Sequence, residues 1–163
     1  MRKFFIFSLL FVSLSSSLYS QDRDQVYAGV IFHVIKYVEW PSYHKDYIKV
    51  GVVEDVRLTR MLNKVFKGKK VHFKALKAED CMNFNDLSDY HVMFFSKKGA
   101  SLISKIVDNH VLTISELNEK MTANSVFNII ENKGKIELEL YMKNLSKMNF
   151  QVSEQLKKIA SIR

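Results

Sequence analysis

The sequence has little of several residue types on which small proteins often rely: one cysteine, one proline and five glycines in 163 residues. A lone Cys81 excludes an intramolecular disulfide and stays a free thiol, so the stability of the fold has to come from its core. The glycines stand at 29, 51, 68, 99 and 134, too scattered to write a dinucleotide fingerprint or a phosphate-cradling P-loop. The five histidines, at 33, 44, 72, 91 and 110, include no i, i+4 pair and no HExxH, and one cysteine cannot complete a zinc quartet. No metal and no other cofactor is expected. No serine sits in a GxSxG elbow, which removes a common hydrolase signature. Nor is there a long apolar run: the longest at the start, Phe4 to Val12, is well short of the roughly 20 residues that cross a bilayer as a helix.

That short run is informative in its context. Arg2 and Lys3 precede it, and serines 13, 15, 16, 17 and 20 follow it ahead of a charged QDRD, the pattern of a secretory signal peptide. Residues 1–20 are expected to be cleaved, leaving a single soluble domain over residues 21–163, in the periplasm of a two-membrane bacterium. Leu18 is large for the position three before that cut, and cleavage after Ser17 is the alternative. Without Arg2 and Lys3, two of the 25 basic residues, the formal balance falls from +8 to +6. With 47% hydrophobic residues, the chain has enough apolar side chain for one sizeable core.

Periodicity gives the elements. Tyr27, Val30, Ile31, Val34, Ile35 and Val38 fall on one helical face, and the helix should stop at Glu39 because Trp40 precedes Pro41. Tyr47 to Val53 is a β-branched strand, and Asp55 is placed to cap a helix carrying Leu58, Met61, Leu62 and Val65. Further strands are expected at Val71 to Leu76, His91 to Phe95 and His110 to Ile114, with a helix at Leu102 to Val107 and Ser115 capping the piece ELNEKM. Val126 to Ile130 and Ile136 to Leu140 flank a turn at Asn132, Lys133 and Gly134, an antiparallel hairpin. Helices over Met142 to Met148 and Val152 to Ile162 close the chain. The alternation predicts an α/β fold: a mostly parallel mixed sheet flanked by helices, with a C-terminal antiparallel hairpin.

Candidate chemistry is sparse. His91 and His110 open apolar strands, where a satisfied structural histidine is the simpler expectation. Glu137 and Glu139 share a strand face and could in principle act as paired carboxylates, but their alternation with Ile136, Leu138 and Leu140 reads better as the wet side of a half-buried hairpin. Lys67, Lys69, Lys70, Lys74 and Lys77 form the densest basic run. Export argues against nucleic acid, and with Phe73 as its only aromatic the run reads as a solvated face rather than a patch for an anionic membrane. Architecture singles out one place. Ligands of open parallel sheets bind beyond the carboxyl ends of the strands, where this chain sets Ser96, Lys97, Lys98 and Gly99, with Thr113 and Ser115 on the neighbouring strand end and Glu54 and Asp55 after the first strand. Trp40, the only tryptophan, is a second candidate, either a corner of the core or an exposed anchor for a partner.

Taken in order, YAGVIFHVIKYVEWP, IKVGVV, LSDYHVMFFS, VLTISE, VFNIIENKGKIELEL and FQVSEQLKKIA resemble the successive segments of the YfiR family, small periplasmic regulators whose best-understood members restrain a membrane-bound diguanylate cyclase. The resemblance implies a non-enzymatic periplasmic protein that binds and restrains an inner-membrane signalling protein, a diguanylate cyclase of cyclic di-GMP signalling or a sensor kinase. A homodimer is left open, and the alternative is a small-ligand binding module for a sensor kinase or transporter. Tyr90, Tyr141 and Asn149 stand where the family commonly has Cys, Asn and Gly. The redox-linked disulfides of studied members therefore do not carry over.

Overall fold

The computed structural model describes residues 23–40, 46–81, 87–106, 110–117 and 124–163. The leader, Pro41 and most of the ELNEKM piece lie outside them. Helix α1 covers residues 23–37 and buries Tyr27, Ala28, Ile31, Val34 and Ile35, most of the face its periodicity predicts. It stops two residues sooner than expected, because Val38–Glu39 (β1) pairs antiparallel with Gln151–Val152 (β9). This two-stranded ribbon ties the end of α1 to the C-terminal region.

The main sheet has eight strands in the order β10-β8-β7-β6-β5-β2-β4-β3. Its parallel centre is Tyr47–Val53 (β2), Lys74–Asp80 (β4), Val92–Phe95 (β5), Leu112–Ser115 (β6) and Phe127–Asn132 (β7). Lys135–Leu140 (β8) returns antiparallel to β7. Ser161–Ile162 (β10) runs parallel to β8, and Lys70–Val71 (β3) antiparallel to β4. The sheet is thus mixed and mostly parallel, with the expected C-terminal hairpin, whose turn is Lys133–Gly134 with φ of 50° and 75°.

β5 is buried at every position because the sheet is covered on both sides. Val92 and Phe94 join Val50, Val52 and the α1 face on one side, with Leu58, Leu62 and Phe66 of helix α2 (Val56–Phe66). Met93 and Phe95 face the other way, against Ala100 and Ile103 of a short 3-10 helix (Ala100–Lys105) and Ile106, Val111 and Leu117. Gly51 makes this second layer fit: a Cβ there would stand 2.4 Å from Met93 Sδ and 2.9 Å from the Tyr90 ring. Asp55 caps α2 as expected, its Oδ1 accepting from Leu58 N at 3.1 Å. In the last turns of α2, the Asn63 amide donates to Ala78 O at 2.8 Å and accepts from Ala78 N at 3.0 Å.

Several expectations need correction. The strand predicted over Val71 to Leu76 is a hairpin: β3 turns at His72 and Phe73, both with positive φ, and β4 continues through the charged residues to Asp80. The two closing helices are short, Met142–Leu145 (α3) and Glu154–Ile159 (α4): α3 gives way to a turn at Ser146, and the second expected helix loses Val152 to β9 and Ser161–Ile162 to β10, which pair with β1 and β8. Ser115 is an internal strand residue with no exposure, not a helix cap. Glu139, expected in water, is fully buried (0%). Its Oε2 accepts from Asn128 Nδ2 at 3.2 Å and Tyr141 OH at 2.9 Å, and its Oε1 from Arg163 Nε at 2.8 Å. Tyr141, one of the departures from the family pattern, thus has a role in satisfying a buried charge.

Candidate functional site

At the carboxyl ends of β2, β4 and β5 the chain opens a cleft of about 670 Å³. β2 leads out through Glu54, whose left-handed backbone (φ 60°) costs a non-glycine residue about 1–2 kcal/mol. Asp55 and Arg57 follow at the start of α2, β4 ends at Asp80, and Ser96 follows the last residue of β5. Ser96 Oγ donates to Glu54 O and accepts from Gly99 N, both at 3.4 Å, so this side chain joins the two loops at the rim. Gly99 is needed for close approach, since a Cβ there would stand 2.7 Å from Val53 Cγ1. Lys97 and Lys98 project from the turn and are exposed. The helix that follows is a six-residue 3-10 turn without a side-chain cap, so the cationic character here comes from side chains rather than from a helix end.

The start of α1 completes the wall. Arg23 forms an ion pair with Glu116, the residue after β6, and Lys97 Nζ lies 3.4 Å from the same carboxylate. The Arg23 guanidinium also stacks over Tyr27 at 4.5 Å. Asp24 is 5% exposed and lies 3.6 Å from Arg23 Nη1 and 3.7 Å from Arg57 Nε. Its Oδ1 accepts no hydrogen bond. Burial pushes the Asp24 carboxyl above its ordinary value, and Arg57 pulls it part of the way back. Burial, with Glu116 nearby, pushes the Tyr27 hydroxyl up to about 12, so it stays a neutral phenol at physiological pH.

The cleft therefore mixes cations (Arg23, Arg57, Lys97, Lys98) with carboxylates (Glu54, Asp55, Asp80, Glu116) in near balance. Such a wall suits polar or charged contacts from a ligand carrying both signs, or from a partner's surface. No group of three His, Cys, Asp or Glu that could hold a metal ion occurs among the described residues. Arg23, Asp24, Arg57, Asp80 and Glu116 had not been singled out in the sequence. The strand-end rule that found Ser96 would also have found Asp80 and Glu116, each the last or next residue of a strand. The start of α1 folds over the site only in three dimensions.

The other candidates lie elsewhere. Thr113 and Ser115 are buried in β6 and engaged internally: Thr113 Oγ1 donates to Asn124 O at 2.6 Å, and Ser115 Oγ bonds Ser125 Oγ at 2.7 Å and Asn128 Oδ1 at 3.0 Å. Through Asn128 this polar chain reaches Glu139 and Arg163. Trp40 sits half-buried near the amino ends of β2 and β5, opposite the cleft. Its Nε1 donates to Ile35 O at 3.0 Å, and its ring lies 5.8 Å from Phe150 and 6.3 Å from His91. His91 is buried and accepts from Lys49 N through Nδ1, as a satisfied structural histidine does.

The fold is thus an open α/β sheet with a strand-end cleft whose wall carries both signs of charge. The chain belongs to the YfiR/HmsC-like family, which it matches over residues 24–161, nearly the whole described domain. The family is one of regulators rather than catalysts. No curated protein matches the chain. No helix among the described residues is long and apolar enough to cross a membrane.

Proposed function

We propose that the protein is an exported, non-enzymatic regulator that acts in the periplasm by binding and restraining an inner-membrane signalling protein, in the first place a diguanylate cyclase. The observation that carries this reading is membership of the YfiR/HmsC-like family over a domain whose cleft offers charged contacts. Restraint would be exerted by protein contact, with no chemistry and no cofactor. The balanced charges at Arg23, Arg57, Lys97 and Glu116 also support a second reading, a small-ligand module in which a zwitterion held in the cleft tunes that contact.

The direct test is cellular cyclic di-GMP with the gene deleted and restored, combined with affinity capture of membrane proteins by the periplasmic chain. The expected result is a rise in cyclic di-GMP on deletion, its reversal on restoration, and capture of a membrane protein with a GGDEF domain. The captured chain should begin near Gln21. Unchanged cyclic di-GMP, or capture of a sensor kinase alone, would redirect the reading to another signalling class.

A further inference from the structure

Two hairpins of the main sheet turn through two residues of positive φ, and they do so with different side chains. Lys133–Gly134 closes β7–β8 with glycine at the second position, the residue such a turn favours. His72–Phe73 closes β3–β4 with φ of 50° and 68° and has neither glycine nor asparagine. Left-handed backbone is unfavourable for a bulky aromatic, and here no packing compensates it. The Phe73 ring is 96% exposed, more than any other large apolar side chain among the described residues.

Basic residues surround this tip. Part of the run has a structural account: Lys77 pairs with Glu79 at 2.5 Å, Lys69 Nζ lies over the Phe32 ring at 4.5 Å, and a cation at Lys67 suits the C-terminal end of α2. None of this explains a phenylalanine held in water at the turn between Lys70 and Lys74. We propose that the β3–β4 tip is a membrane-surface anchor: Phe73 enters the interface of an anionic lipid bilayer while Lys67 and Lys70 lie against its headgroups. A lipid surface fits better than a protein pocket because the tip is one protruding ring in a diffuse cationic fringe. The next apolar neighbour, Val71, is buried, so the packed cluster of a protein hot spot is missing. The tip lies by the amino end of β4, at the opposite end of the strands from the charged cleft. An anchored molecule would keep that cleft turned away from the lipid and open.

Each lysine near an anionic surface contributes on the order of fivefold in affinity, and a seated phenylalanine ring on the order of tenfold. Binding should therefore be reversible and salt-sensitive. The test is flotation of the protein with vesicles of phosphatidylethanolamine and phosphatidylglycerol, compared with phosphatidylcholine alone, at low and high salt. Flotation is expected only with phosphatidylglycerol, weakening as salt rises. Phe73→Ser and the pair Lys67→Glu with Lys70→Glu should each reduce it about tenfold or more, and Phe73→Trp should retain it. His72→Asn with Phe73→Gly supplies the residues this turn prefers, so it should melt no lower than the parent and still lose flotation, separating anchoring from folding. Absence of flotation at low salt overturns the proposal, as does flotation indifferent to these substitutions. Loss of a protein partner by the tip variants with vesicle binding intact overturns it too, in favour of a protein-docking tip. No signalling partner is present in the lipid assay, so its failure is distinct from failure of the regulatory reading.

Discussion

Replacing Arg163 with alanine removes both guanidinium contacts to a fully buried carboxylate, Nε and Nη2 each at 2.8 Å from Glu139 Oε1. Asn128 and Tyr141 remain on Oε2, so the charge would be left half-satisfied. Breaking a buried pair from one side costs roughly 3–5 kcal/mol. The Arg163 side chain is 49% exposed, so water can reach the vacated oxygen and part of that cost is recovered. The expected loss is about 2–3 kcal/mol, or about 6–10 °C in Tm for a domain of this size. The dependence on pH carries a sign. Burial pushes the Glu139 carboxyl up, but the bonds from Asn128, Tyr141 and Arg163 together outweigh it and hold the group below its ordinary value. In the parent, that stabilisation is present above the unfolded value of about 4.3 and is lost as pH falls through the lower folded value. In the variant, burial acts with less opposition and the folded value rises. The difference between parent and variant should thus be largest at neutral pH and shrink as acid protonates Glu139. Urea unfolding of both proteins at several pH values measures it, and in a Glu139→Gln background the same substitution should cost less. A variant within about 0.5 kcal/mol of the parent at pH 7, or a gap that stays constant down to pH 4, would refute the reasoning.

Two further outcomes concern the core. Trp40→Ala removes the Ile35 carbonyl contact and the packing on Phe150 and His91, and should destabilise the protein by about 2–4 kcal/mol in chemical unfolding. Unchanged unfolding with lost partner binding would make Trp40 an anchor instead. Reductant should leave the melting temperature unchanged at low protein concentration, since Cys81 is a buried free thiol and no internal bridge constrains the unfolded chain.

The central elements were legible because their patterns are local. The β-branched run of β2, the apolar HVMFF of β5 and the Asp55 cap each declare themselves within a few residues, and the strand-end rule put Ser96, Lys97 and Lys98 at the rim of a real cleft. What could not be read depends on distant partners. β4 is a strand although only Ala78 along it is buried, because β2 pairs it along its length. β9 and β10 are two-residue strands defined by their neighbours, and they shorten a closing helix that propensity alone would extend. Glu139 is buried because Arg163, Asn128 and Tyr141 converge on it, and Ser115 is internal because Ser125 and Asn128 meet it there. The start of α1 enters the candidate site through partners distant in sequence, Arg23 by pairing with Glu116 and Asp24 by its approach to Arg57.

The doubly bonded amide of Asn63 bears on solubility. β3 matches only two positions of β4, leaving the outward backbone groups further along at the border of the sheet. An open border of this kind invites pairing with another chain. By offering one donor and one acceptor to Ala78, the Asn63 side chain imitates a further strand at that spot and occupies the groups an incoming chain would need. Helix α2 thus guards the rim of the sheet at Ala78 as well as covering its face.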